Sequence, residues 1–234
     1  MSELRVATAG DDGTVGAAVE AVGGAVVPAS EADALVTFGE DALVDTALAD
    51  PEVPLLPVDA GPGNHSVPKQ RVDEALDALA SGEGWLEPHA IFSVAVGDER
   101  AARALLDVSL MTREPARISE YSVRAGAEEV DRFRADGVVV ATPAGSAGYA
   151  RAAGGSVVVP GGGLSVVPVA PFETMPDTWV LDADLTLVVK RDDSDVDLVA
   201  DGRVVGSAPA GTPIEVARDG RVEFLRVPGV AATR

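Results

Sequence analysis

The sequence predicts an α/β half with a mostly parallel sheet, followed by a β-rich half assembled largely from antiparallel hairpins. Three observations carry this prediction. Up to about residue 82, short apolar runs alternate with segments of helical spacing, the rhythm of strands joined by crossover helices. From about Leu86 the runs become β-branched or strictly alternating. Two Asp-Gly pairs, Asp201-Gly202 and Asp219-Gly220, each lie between strand-like runs, where a type I′ turn needs positive φ at both centres.

The elements follow in order. Leu4–Thr8 reads as a strand, Thr14–Val22 as a small-residue helix, and Ala25–Pro28 and Ala34–Thr37 as strands. Asp41–Ala49 reads as a short helix and Leu55–Pro57 as a buried strand. Gln70–Ala80 places Val72, Ala75, Leu76 and Leu79 on one helical face. Ser81-Gly82-Glu83-Gly84 stops that helix, giving domains 1–84 and 85–221. In the second, Ile91–Val96, Asp107–Met111, Ile118–Arg124, Val138–Ala141, Val157–Val159 and Leu185–Val189 read as strands. Hairpins are expected for Val196–Ala200 with Arg203–Ser207 and for Ile214–Ala217 with Arg221–Leu225. Arg191-Asp192-Asp193-Ser194-Asp195 reads as a solvated hairpin turn and Pro160-Gly161-Gly162-Gly163 as a loop.

Composition narrows the function classes. The chain has 234 residues, 38 acidic and 18 basic, for a formal charge of −20. Such a charge repels nucleic acid phosphates and anionic membranes. Lys69 and Lys190 are the only two lysines. That acid-rich, lysine-poor balance reads as a halophilic protein from a high-salt cytoplasm, where screening relieves self-repulsion. No apolar run approaches the ~18 residues of a membrane helix, and the start lacks the pattern of a leader, so a soluble cytoplasmic protein is expected. Cysteine is absent, which removes thiol nucleophiles and Cys-based metal sites, and His65 and His89 alone leave little scope for a His-rich centre. Neither histidine is assigned a role; His65 reads as a solvated loop residue and His89 as bordering a strand.

The most informative segment runs from Asp136-Gly137 through Val138-Val139-Val140-Ala141 into Thr142-Pro143-Ala144-Gly145-Ser146-Ala147-Gly148-Tyr149, with Gly154-Gly155 beyond. A buried strand there enters a turn of small residues and then a helix start, where backbone N–H groups can approach a phosphate. Tyr149 could stack on a base. On these residues alone a purely structural turn is an equal alternative.

This segment, with Ala152-Ala153-Gly154-Gly155, resembles the signature of the NAD kinase family, Asp-Gly-x-x-x-Ala/Ser-Thr-Pro-Thr-Gly-Ser-Thr-Ala-Tyr followed by Ser-Ala-Gly-Gly. Arg132-Phe133-Arg134-Ala135 precedes it as a basic strand does in the family. Pro168-Val169-Ala170-Pro171 resembles a Pro-Ile-x-Pro-His segment with Phe172 in place of His, and Val58-Asp59-Ala60-Gly61 resembles a Val-Asn-x-Gly loop. The resemblance implies a Rossmann-like first domain, a β-rich nucleotide-binding second domain, and a chain end, about 222–234, that returns to the first.

Departures from the pattern are specific. The family's Gly-Gly-Asp-Gly-Thr donor loop corresponds to Gly39-Glu40-Asp41-Ala42-Leu43, where Glu40 and Ala42 replace glycines and Asp41 keeps the catalytic position. A glutamate there faces an anionic donor with like charge. The family's Asn-Glu or Asn-Asp pair corresponds to Leu106-Asp107, which keeps the carboxylate and loses the amide. Ala144, Ala147 and Ala152 each replace a hydroxyl residue. Gly10-Asp11-Asp12-Gly13-Thr14 mimics the donor loop but follows the first strand, and reads as a capped strand–helix turn with Asp12 or Thr14 as cap.

The activity so implied is transfer of a phosphoryl group from ATP or polyphosphate to the 2′-hydroxyl of the adenosine ribose of NAD(H), giving NADP(H). Asp41 would take the hydroxyl proton, and Mg²⁺ held by phosphates and water would neutralise donor charge. Asp107 and Asp136 would bind ribose hydroxyls or the nicotinamide side, Arg134 a phosphate, and Tyr149 would pack near adenine. The signature residues Thr142, Gly145, Ser146, Ala147, Gly148, Arg151 and Ala152 complete the NAD site beside Leu106. A dimer or tetramer is implied. The alternative is a homologue that binds NAD(P) or another nucleotide as a sensor or partner subunit without transfer. A lipid or sugar kinase shares the Gly-Gly-Asp-Gly loop but not the 136–149 signature. Taken without the resemblance, Asp41 is a helix cap, Asp136 a turn residue and Tyr149 a core residue.

Overall fold

The computed structural model describes residues 4–10, 13–63, 65–114, 117–182, 184–192 and 194–230. The chain divides into two compact units, Met1–His89 with Arg221–Arg234, and Ala90–Gly220.

In the first unit, β1 (Arg5–Ala9), α1 (Thr14–Ala21), β2 (Ala25–Val26), β3 (Ala34–Phe38), α2 (Glu40–Leu48), β4 (Leu55–Val58) and α3 (Val72–Ala80) follow in order. The strands pair in parallel as β2-β1-β3-β4, and Phe224, near the chain end, adds a parallel partner beside Leu55. Parallel strands covered by helices are buried on both sides, which is why Ala34–Thr37 and Leu55–Val58 are apolar almost without alternation. Val15, Val19, Val72 and Leu76 from α1 and α3 pack on Val6, Val36 and Leu56. The helix expected from Gln70 starts as a 3-10 turn, Lys69–Arg71, and becomes α-helical at Val72. Gly13, with φ 94°, is the N-cap of α1, so Thr14 is its first helical residue and not its cap; Asp11 and Asp12 of the Gly10–Thr14 segment lie outside the described residues.

His65 is not solvated. It is buried, its Nε2 lies 3.2 Å from the Ala60 carbonyl, and it forms an aromatic cluster with His89 and Phe224, the latter two stacked with centroids 4.1 Å apart. Burial pushes the His65 pKa down to about 4 and lowers that of His89 as well. Both histidines are therefore neutral in the folded chain at neutral pH. The unfolded chain binds more protons between pH 6.5 and about 4, so stability is present above 6.5 and is lost as pH falls through that window. The difference of 6.5 − 4 for His65 corresponds to about 3 kcal/mol. Urea unfolding in molar KCl at pH 7 and pH 5.5 should show wild-type stability falling more steeply than that of His65→Gln. Parallel pH profiles would refute this role for His65.

The second unit contains two sheets. β5 (Trp85–Val96) starts in the first unit and continues here from Ala90. It is followed by β6 (Glu99–Ala104), β7 (Asp107–Thr112), β8 (Ser119–Ala125), β9 (Glu128–Ala135), β10 (Gly137–Ala141) and the single-turn helix α4 (Tyr149–Ala152). Next come β11 (Leu164–Val169), β12 (Trp179–Leu181), β13 (Leu185–Arg191), β14 (Val196–Ala200), β15 (Arg203–Ser207) and β16 (Pro213–Arg226). One sheet runs β12-β11-β10-β7-β14-β15; in the other, β16, β13, β8 and β9 are neighbours and β5 pairs with β6 and β16. Leu110, Val138, Val140 and Leu198 share a core with Tyr121, Val123, Leu185, Leu187 and Ile214. The alternate residues Val139 and Ala141 pack with Ala150 of α4 and Val167. β10 is thus buried on both faces, which accounts for its unbroken run of valines.

Three strand expectations need correction. Val157–Val159 forms no strand, because the Val158 N–H bonds the Ser146 hydroxyl at 2.9 Å instead of a neighbouring strand. Asp201-Gly202 makes a tight turn with φ 46° and 74°, but Asp219-Gly220 makes none. Asp219 keeps negative φ, its carboxylate pairs with Arg100 and with Arg103 at 2.9 Å, and β16 continues through it. The Arg191–Asp195 run is not a hairpin turn, since it joins strands of different sheets; Asp193 lies outside the described residues. β6, β11 and β12 have no counterpart among the predicted strands, and of β9 only its end, Arg132–Ala135, is expected as a strand.

Candidate functional site

In the first unit the loops after β1, β3 and β4 meet at the carboxyl ends of the strands, where open α/β sheets bind ligands. Gly39 follows β3 with φ 83°, a left-handed value that glycine adopts without strain, and α2 begins at Glu40. Glu40 and Asp41 are exposed in the first turn of α2, where the helix N-terminus favours carboxylates. A Cβ on Gly10 would stand 2.7 Å from the Ala42 Cβ and 2.6 Å from the Phe38 carbonyl, so the first loop packs on the third strand's exit. Gly61, at φ 81° in the loop after β4, lies beneath the Glu40 side chain; a Cβ there would sit 3.4 Å from Glu40 Cδ and closer still to its carboxylate. Glu40 therefore lies folded against the neighbouring loop. That loop is itself fixed: Asp59 accepts the Lys69 N–H at 2.9 Å, and Ser66 accepts the Ala60 N–H at 2.8 Å.

In the second unit the turn after β10 closes over the segment between β6 and β7. The Thr142 hydroxyl donates to the Leu105 carbonyl at 2.7 Å, and the Thr142 N–H to the Leu106 carbonyl at 2.8 Å. Thr142 also accepts from the Gly145 N–H at 3.2 Å. Gly145 sits directly on Leu106, whose Cα would be 2.8 Å from any Cβ placed there. The buried Ser146 hydroxyl donates to the Pro143 carbonyl at 2.9 Å and accepts the Val158 N–H, tying the turn to the 155–159 segment. The signature's small and hydroxyl-bearing residues are thus needed for close approach of one backbone to another.

Asp107 opens β7 opposite Ala141 and is half-buried; Asp136, also half-buried, precedes β10. Tyr149 is 44% exposed at the start of α4, with its hydroxyl 4.0 Å from Met111 Sδ. Partial burial, then the negative charges of Asp107 and Asp136, raise its pKa. The structure thereby groups Leu106, Asp107, Asp136, Thr142, Gly145, Ser146 and Tyr149. Ala147 and Gly148 complete the turn, with Gly148 as N-cap of α4, and Arg151 and Ala152 are exposed on that helix. Arg134 is exposed on β9, its guanidinium 5.9 Å from the ring of Phe172, which is also exposed. Asp41 and its donor-loop neighbours Gly39, Glu40 and Ala42 belong to the other unit.

One contributor was not anticipated. Asp201, in the tight turn between β14 and β15, accepts the N–H groups of Leu105, Leu106 and Asp107 at 2.8, 2.7 and 3.0 Å. The only sequence signal is the Asp-Gly pair, which is legible as a turn but carries no sign of where the carboxylate points.

A family model described as the ATP-NAD kinase C-terminal domain matches residues 105–225, from the Asp201-bound segment to the last strand. The chain belongs to the NAD kinase family. It is 35% identical over 149 residues to the NAD kinase of Methanothermobacter thermautotrophicus, a match spanning 61% of this chain and about half, 52%, of that one. With the NAD kinase of Methanopyrus kandleri it shares 31% identity over 208 residues, covering 86% of this chain and 72% of the other. Among solved structures, yeast NADH kinase complexed with NADH superposes with a TM-score of 0.74 at 17% identity, covering 100% of this chain and 84% of that one. The NAD kinase of Archaeoglobus fulgidus in complex with ATP gives 0.68 at 25% identity, covering 97% and 94%. The α/β unit followed by a β-rich unit is the NAD kinase fold.

Proposed function

We propose that this chain transfers a phosphoryl group from ATP to the 2′-hydroxyl of the adenosine ribose of NAD(H), giving NADP(H). The observation that carries the reading is the segment Leu105–Asp107, locked beneath the Thr142–Ser146 turn within the region matched by the family model. Curated relatives named NAD kinase support the reaction class, and solved relatives complexed with NADH and with ATP support the two ligands. In this reading Asp107 and Asp136 accept hydrogen bonds from ribose hydroxyls or the nicotinamide side, and Tyr149 packs near the adenine. Arg134 faces a phosphate, and Ala147, Gly148, Arg151 and Ala152 border the nucleotide.

Asp41 serves as the base that takes the 2′-hydroxyl proton, and Gly39, Glu40 and Ala42 border the donor phosphates. General-base catalysis of this kind contributes about 10²–10⁴-fold. No group of three or more His, Asp or Glu among the described residues could cage a metal, and Glu40 with Asp41 are the carboxylates at the loop. Those residues fit a Mg²⁺ that arrives chelated by the donor and its waters. When bound, such an ion would neutralise charge on the donor phosphates. A cytoplasmic setting at high salt, a homo-oligomer and polyphosphate as a second donor belong to the same reading. It is tested by incubating the protein with NAD or NADH and with ATP or polyphosphate in molar KCl and Mg²⁺, and assaying NADP(H). Absence of product from every pair overturns it.

A second reading has its own support. Glu40, folded against Gly61, places a carboxylate where the family pattern has glycine, which favours a nucleotide-binding relative that does not transfer. The two readings part at this residue. Glu40→Gly removes a like charge worth about 1 kcal/mol at 4 Å in water, so the calorimetric Kd for ATP should fall roughly fivefold, with NADP formed faster only if the chain transfers. An unchanged or higher Kd would show that Glu40 does not oppose the donor.

A further inference from the structure

The segment Leu105–Asp107 is neither strand nor helix through Leu105 and Leu106, yet its backbone is held at every point by residues that directly follow the two strands flanking β7. From the β10 side, Thr142 donates its hydroxyl to the Leu105 carbonyl and its N–H to the Leu106 carbonyl. From the β14 side, one Asp201 carboxylate accepts three successive N–H groups, and the Asp201 N–H returns a bond to the Asp107 carbonyl at 2.9 Å. Three successive N–H groups gathered on one carboxylate, Leu105 on Oδ2 and Leu106 and Asp107 on Oδ1, make an anion-binding concavity filled here by a side chain of the same protein. The tight turn with φ 46° at Asp201 and 74° at Gly202 fixes where the carboxylate lies.

We infer that Asp201 is a positioning residue for recognition of the acceptor nucleotide: it sets the conformation of Leu106-Asp107 and thereby the direction of the Asp107 carboxylate. The inference rests on the acceptor role proposed for Asp107. In a strand ladder the N–H groups of 105, 106 and 107 would point to alternate sides. Gathering all three onto Asp201 turns the chain, and Gly145 is then able to settle on Leu106. Burial raises the Asp201 pKa even though the three N–H groups oppose that shift, so the carboxylate stays in the nest against a real desolvation cost. A stability role alone would not need this geometry, because an ordinary ladder would satisfy the same groups.

The test is Asp201→Asn. The amide is nearly isosteric, but it has one acceptor oxygen, and its NH₂ opposes an N–H donor. In the variant, the KM for NAD and the calorimetric Kd for NAD should rise roughly tenfold or more, as expected for losing hydrogen bonds to a charged group. The KM for ATP should stay within about twofold, since donor contacts are not altered. A purely structural Asp201 would instead lower the melting temperature and weaken both substrates alike, which overturns the inference. So does an unchanged NAD affinity in a folded variant. Wild-type protein that binds no NAD overturns both this inference and the acceptor reading beneath it, whereas wild-type binding with an unaffected variant overturns this one alone. If the variant fails to fold, amide hydrogen exchange on the wild type decides: NAD should further protect Leu105, Leu106 and Asp107 and ATP alone should not. Equal exchange with and without NAD overturns the inference.

Discussion

Asp41→Asn should lower the rate of NADP formation by at least about a hundredfold while leaving the affinity for NAD within about twofold. The lower bound is the smaller end of what a positioned general base contributes. Asparagine matches aspartate in size, and loss of the charge in the exposed first turn of α2 costs only about 0.3–1 kcal/mol, so the donor loop should stay folded. What disappears is the capacity to accept a proton. A loss of NAD binding in parallel would mean that Asp41 contacts the acceptor or supports the loop, and normal turnover would remove it from the chemistry altogether. The measurement is a pair, steady-state kcat and a calorimetric Kd on one preparation, because either number alone leaves binding and chemistry mixed.

Gly145→Ala should produce the largest effect outside the donor loop, weakening NAD binding by about tenfold to a hundredfold. The new Cβ would stand 2.5 Å from the carbonyl carbon of Leu106 and 2.8 Å from its Cα, backbone atoms that no rotamer change can move away. Either the 142–146 turn lifts or Leu106-Asp107 shifts, and overpacking of this kind costs about 1–3 kcal/mol in stability as well. A lowered melting temperature with NAD binding lost is the expected pair of results. Binding retained at the wild-type level would show that the turn's seat on Leu106 is not part of the acceptor site.

How much of this was legible in the sequence depends on the kind of constraint. The parallel sheet was readable because Ala34–Thr37 and Leu55–Val58 are continuously apolar, which strands covered on both faces require. The 136–149 signature was readable because close backbone approach can be met only by small residues, and Gly145 on Leu106 shows that requirement directly. By contrast, Asp201-Gly202 and Asp219-Gly220 are the same dipeptide in similar surroundings, yet only the first turns the chain. The difference lies in long-range partners, Arg100 and Arg103 on Asp219 against three backbone N–H groups on Asp201. His65 differs from its sequence expectation for the same reason: a Gly-Pro-Gly loop reads as solvated, but Phe224 and His89 pack against its imidazole. Local pattern specifies elements, but the partners that bury a loop residue come from far along the chain.

The most direct test of the central claim is a single-turnover experiment with ATP labelled in its γ-phosphate, NAD, Mg²⁺ and excess protein in molar KCl. The account predicts label in NADP, as an ester on the 2′-oxygen, from the wild-type chain, and its appearance at least about a hundredfold more slowly from Asp41→Asn. Label that remains in ATP, with NAD demonstrably bound to the same sample, would contradict the account and leave a nucleotide-binding member of the family that has lost the transfer step.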